Sequence, residues 1–127
     1  MLGDEGGQAA VEFALVLPLL VTVLVAIVQF GIAYNHYLEL TDAVRAGSRV
    51  ASVSSQAASG TPACQAVQEA ASDLNLVCGQ SITVAPSPNW NSGSNVTVSA
   101  TYDDQISILG IPVINVPLQS STTERIE

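Results

Sequence analysis

The chain has 127 residues, of which 48% are hydrophobic but only 5% aromatic, and its formal net charge is −8. It contains no lysine, and its arginines are Arg45, Arg49 and Arg125 alone; non-specific nucleic-acid binding needs clustered cations, so the composition excludes it for this chain by itself. The N-terminal quarter is strongly apolar, which leaves fewer than about 100 residues for folding in water, enough for one small domain with a modest core.

Residues 1–7 (MLGDEGG) are Gly-rich and acidic and read as a leader with no structure of its own; removing them takes away Asp4 and Glu5. Residues 8–33 form a predicted membrane span. No charge occurs over residues 13–30, and only Thr22 and Gln29 have polar side chains there. As a helix that run is about 27 Å long, close to a bilayer's hydrocarbon thickness. A conventional secretory signal peptide fits less well, because it has a basic start, a shorter apolar run and a small-x-small cleavage site.

Glu12 stands at the lip of the apolar run. A carboxylate at the centre of a bilayer costs about 2.5–3.5 kcal/mol on insertion scales, and less near the interface. Two readings are open. Glu12 is an interfacial residue that reaches water with help from the helix dipole, or it needs a partner cation. No Lys or Arg precedes it; a free amine created at Gln8 by a cut after Gly7 would lie four residues upstream. Pro18, inside the run, removes the hydrogen bond to the Ala14 carbonyl and should kink or loosen the helix. It reads either as a point of adaptability or as an ordinary membrane proline.

Residues 34–58 continue as an amphipathic helix. Tyr37, Leu40, Val44, Gly47 and Ala51 recur at helical spacing, with Asp42, Arg45, Arg49, Ser52 and Gln56 on the other face. Ala43, Ala46, Gly47 and Ala51 leave room for close packing. His36, the single histidine, lies between Tyr34 and Tyr37 and reads as an interfacial residue. A small polar connector over residues 52–61 then leads into a domain spanning 59–127.

Pro62 suits a helix first turn, and Ala63, Val67, Ala70 and Leu74 share one face of the helix it opens. Cys64 and Cys78 read as a disulfide, the alternative being two free buried thiols. A straight helix would hold them about 21 Å apart, whereas bridged Cα atoms lie within about 7 Å. A bridge therefore requires the helix to end near Ser72 to Leu74 and residues 75–77 to run back beside it, into a strand over 81–84. Residues 86–94 (PSPNWNSGS) are turn-formers around the single tryptophan, Trp90, which reads as a cover for the small core rather than a partner contact.

Val96, Val98, Ala100 and Tyr102 alternate with Thr97, Ser99 and Thr101, the pattern of a half-buried strand. Asp103, Asp104 and Gln105 are expected to make a turn; two adjacent acids without spaced oxygen ligands are a weak calcium signal. Residues 106–111 and 113–116 are further apolar segments that Pro112 and Pro117 confine to edges or loops, and residues 118–126 supply a last strand. The expected fold is α+β: a long N-terminal helix, transmembrane then amphipathic, followed by a short helix and an antiparallel sheet. No nucleophile is paired with a base, the cysteines lack metal-site spacing, and no phosphate loop is present, so the chain reads as a non-enzyme without cofactor or metal.

The string over residues 7–20 (GQAAVEFALVLPLL) resembles the TadE-like minor pilins, or pseudopilins, of tight-adherence (Tad/Flp) type IV pili. The resemblance implies that a prepilin peptidase cuts between Gly7 and Gln8. Glu12 then becomes the fifth residue of the mature chain, followed by Phe13, and serves charge neutralisation in assembly. It also implies a proline at the place of Pro18. The leader departs from the pattern in lacking Lys and Arg, which removes the usual positive-inside signal, and Arg45 and Arg49 on the far side weakly oppose that orientation. The expected partners are the prepilin peptidase, an inner-membrane assembly platform with a separate ATPase, other minor pilins, the major Flp pilin and membrane lipid. The expected place is the cytoplasmic membrane, with the N-terminus inside and the C-terminal domain outside. The rival reading is an uncleaved single-pass anchor that displays a small binding domain.

Overall fold

The computed structural model describes residues 5–53, 60–108 and 110–127. The start of the leader, Gln56 and most of the connector lie outside the described residues, as does Leu109. The fold is α+β. A 49-residue helix α1 (Glu5–Val53) is followed by a short helix α2 (Thr61–Ala70) and a 3-10 turn (Ser72–Leu74). Three strands complete it: β1 (Ile82–Ser87), β2 (Asn95–Ile108) and β3 (Ile111–Arg125), antiparallel in the order β1-β2-β3.

At 49 residues α1 is about 74 Å long, far more than the rest of the molecule can cover. Its first half stands bare, and its second half carries the fold. Leu40, Ala43, Val44, Gly47, Ser48 and Ala51 are buried at three- and four-residue steps, the stripe a helix needs to meet other elements along one side. Tyr37, expected on that stripe, is 41% exposed; its ring walls a surface notch at the lower end of the sheet instead.

Against this stripe pack α2, β2 and β3, while α2 also touches β1. The core joins Leu40 and Val44 of α1 to Val67 of α2, Leu74, Leu76, Ile82, Val96, Val98 and Ile126. Each fully buried aliphatic contributes about 1.5–3 kcal/mol, and small residues at the helix crossings let the backbones approach. Gly47 marks the tightest crossing. A Cβ there would overlap Val67 and stand 3.0 Å from the Ala63 carbonyl oxygen.

Helix α2 has Pro62 in its first turn and ends at Ala70, where Ala71 leaves helical geometry (φ −124°, ψ 53°). That departure turns Ala71, rather than the expected Ala70, into the core. Asn75 adopts a left-handed conformation (φ 49°) that reverses the chain, a role its short polar side chain tolerates. The return segment is held by Gln68 Nε2 donating to the Leu76 carbonyl at 2.8 Å. It is held also by the Cys64–Cys78 disulfide, with Cα atoms 5.9 Å apart. Trp90 packs against the core from the β1–β2 loop, as expected of a core cover.

The turn assigned to Asp103, Asp104 and Gln105 does not exist: β2 runs straight through these residues, paired with Pro117, Val116 and Asn115 of β3. Asp104 has the same strand parity as Val96, Val98 and Ala100, so its side chain faces α1 and finds a partner there. The reversal comes between Ile108 and Ile111, with Gly110 at φ 81°, a region open to glycine at little cost. Pro112 and Pro117 do fall on an edge strand, since among the described residues β3 pairs only with β2.

Candidate functional site

The bare half of α1 carries the candidate site. Side chains over residues 7–32 are exposed apart from the partly covered Val25 and Gln29; Leu15 is 75% exposed and Phe30 71%. So much apolar surface in water would be an aggregation site; in lipid it is the expected solvent-facing surface. The helix Gly7–Val53 is long and apolar enough to span a membrane.

Glu12 is the single charged residue over 7–38. Its Oε1 accepts a long hydrogen bond from Gln8 Nε2 at 3.4 Å, one turn upstream. The reason is geometric: helical side chains tilt toward the N-terminus, so residue i+4 leans over residue i. The group nearest the Glu12 carboxylate along the helix is therefore Gln8. An ammonium at the Gln8 backbone nitrogen would lie in the direction this side chain already points, and Phe13 follows, fully in the apolar run. Gly7 is helical and open: a Cβ there would touch nothing.

Pro18 sits within α1 without ending it. Thr22 Oγ1 donates to the Pro18 carbonyl at 2.8 Å, the back-bond a threonine makes to the carbonyl four residues earlier in a helix; the carbonyl that loses its donor to the proline ring is that of Ala14. Cys64 and Cys78 lie far from this region and act on the folded half alone.

A second cluster went unread in the sequence. His36 Nδ1 lies 3.1 Å from Asp104 Oδ2, and the Tyr102 ring meets the imidazole edge-on with centroids 5.6 Å apart. Asp104 is buried, and the pair clamps β2 to α1 just where the helix emerges from its bare half. The signal that could have found it was parity: Asp104 falls on the inward register of its strand, and a buried carboxylate needs a donor. Among the described residues no group of three or more His, Cys, Asp or Glu is gathered as a metal site.

No curated protein and no solved structure matches the chain. The match to a family model starts at Gly7, runs through Glu12 and Pro18, and ends in the packed half of α1, before α2 and the sheet. Residues 7–49 match the family described as TadE-like protein, so over its long helix this chain is similar to the TadE-like proteins of the Tad pilus system.

Proposed function

We propose that the chain is a minor pilin or pseudopilin, cut between Gly7 and Gln8 by a prepilin peptidase, that assembles into or primes a Tad-type pilus for surface adhesion. The observation that carries this reading is the register of Gly7, Gln8 and Glu12 on an exposed apolar helix within the TadE-like match. While the helix is in lipid, Glu12 stays at its water-facing lip. Once helices pack together, the carboxylate becomes costly unless it meets a cation, and the new ammonium at Gln8 supplies one. The chain then acts structurally rather than catalytically. Its partners are the peptidase, the inner-membrane platform with its ATPase, other minor pilins and the major Flp pilin, with the sheet-bearing half outside the cytoplasmic membrane.

Intact-mass measurement on protein from native cells tests the cut: a mature chain beginning at Gln8 is expected. Glu12→Ala should be processed normally yet fail to assemble. A chain that keeps residues 1–7 while still supporting pili would refute the proposal and return the reading to an uncleaved anchor.

A further inference from the structure

The β2–β3 ribbon extends well beyond β1, which pairs only with residues 95–100 of β2. Its free end runs alongside α1 toward the bare half. Val98 lies near Gly47, Asp104 binds His36, and Ile106, Val116 and Leu118 share an apolar notch with Phe30, Ala33 and Tyr34. Successive ribbon positions thus contact successively earlier helix positions, so the ribbon descends along the helix. At about 3.3 Å per strand residue, Ile108 lies about 13 Å past Asp104. That distance equals about nine helix residues, which brings the ribbon to the level of Ile27.

Two separate stretches of chain lose their charges at one level. On α1 the last acid above the bare half is Glu39, and below it no Asp, Glu, Lys or Arg occurs until Glu12. On the ribbon the last charge is Asp104, and none follows until Glu124, which pairs back at Val96. Tyr34, Tyr37, Tyr102 and His36 ring that level, the composition found where proteins meet the headgroups. Beyond it the ribbon exposes apolar side chains on both faces: Ile111 at 67%, Val113 at 53% and Ile114 at 57%.

We infer that the tip of the β2–β3 ribbon is a second membrane contact, dipping into the outer headgroup and upper acyl region beside α1. The occupant of this apolar tip is lipid because the tip continues the same uncharged band as the helix. The depth is shallow. Ile27 lies about 10 Å below Tyr34 along the helix, comparable with the penetration of interfacial segments. A two-stranded ribbon turns half of its backbone groups outward, away from the partner strand, and the dry centre of a bilayer offers them no partners. With two contacts instead of one, the sheet is held at a fixed angle to the membrane rather than swinging on a tether.

The inference rests on the reading of residues 8–33 as a membrane span, and the test separates the two. The full chain is reconstituted in phosphatidylcholine vesicles containing a lipid spin-labelled on its upper acyl chain. Single cysteines, Ile111→Cys, Val113→Cys, Asn91→Cys and Val23→Cys, each carry a fluorophore. Cys64 and Cys78 are consumed by their disulfide, and Ile111, Val113 and Asn91 are exposed, so the substitutions leave the packing intact. Loss of fluorescence to the spin-labelled lipid is expected at Ile111, Val113 and Val23 but not at Asn91, at the opposite end of the sheet. Quenching at Val23 with none at Ile111 or Val113 overturns the inference and leaves the span standing. A blue-shifted, unquenched tip label would assign the tip to a second copy of the chain, and an unshifted one to water. No quenching at Val23 removes the span and the inference together.

Discussion

Gly47→Ala places one methyl group at the crossing of α1, α2 and β2. Two effects oppose each other. Alanine is the better helix former by about 0.8–1 kcal/mol, so a position with free space would gain that much. At Gly47 the new Cβ would overlap Val67, stand 3.0 Å from the Ala63 carbonyl oxygen and lie 3.5 Å from Val98. Val67 is fully buried in a helix, where a β-branched side chain has one strongly preferred rotamer and cannot swing aside. Ala63 is backbone, and the disulfide at the adjacent Cys64 resists movement of α2. Overpacking of this kind costs about 1–3 kcal/mol, which after the helix gain leaves a net loss of up to about 2 kcal/mol. For a domain of this size each kcal/mol lowers Tm by about 4–8 °C. Thermal unfolding of the full chain in detergent micelles, followed by near-ultraviolet circular dichroism of Trp90, measures it. Gly31→Ala is the control: it is also helical, but its Cβ would meet nothing within 4 Å, so the Tm of the folded half should not fall. A Gly47→Ala protein more stable than the parent would refute the packing described for this crossing.

Cys64→Ser removes a cross-link that closes a loop of about 15 residues and should cost about 3 kcal/mol in the chain-entropy model; denaturant titration measures it, and reductant should lower the parent protein similarly. His36→Ala leaves the buried Asp104 carboxylate without its imidazole partner, with an expected loss of about 1–3 kcal/mol. The double variant His36→Leu, Asp104→Leu should recover much of that loss, since replacing both partners leaves no buried polar group unpaired; chemical denaturation of the two variants and the parent distinguishes this outcome. Glu12→Ala, exposed and remote from the folded half, should leave Tm unchanged in the same assays, so any failure to assemble in cells would not be a failure to fold.

Much of the architecture is legible in the order of the amino acids. Leu40, Val44, Gly47 and Ala51 announced the packed stripe of α1, and the alternation from Val96 to Tyr102 announced the buried face of β2. The two cysteines required α2 to stop and the chain to return, and the chain does so at Ala71 and Asn75. The failure at Asp103 and Asp104 has a plain cause. Two acids and a glutamine look like a turn when judged by local composition, but the strand continues because Asp104 meets His36 from 68 positions earlier in the chain. Tyr37 departs from its pattern for the converse reason: its spacing is that of a core residue, yet the sheet ends in a notch at its level and leaves the ring part-exposed.

The uncharged run long enough to cross a bilayer, and the carboxylate one turn after Gln8, belong to the sequence by itself. Transfer into lipid adds up residue by residue along a helix, and helical spacing places Glu12 over Gln8 without help from any other element. The tertiary structure alone decided that the β2–β3 ribbon descends beside α1, that Asp104 pairs with His36, and that a second uncharged surface ends at the same level as the first. These depend on how closely α1, α2 and β2 approach at Gly47, a meeting of distant segments that no local periodicity encodes.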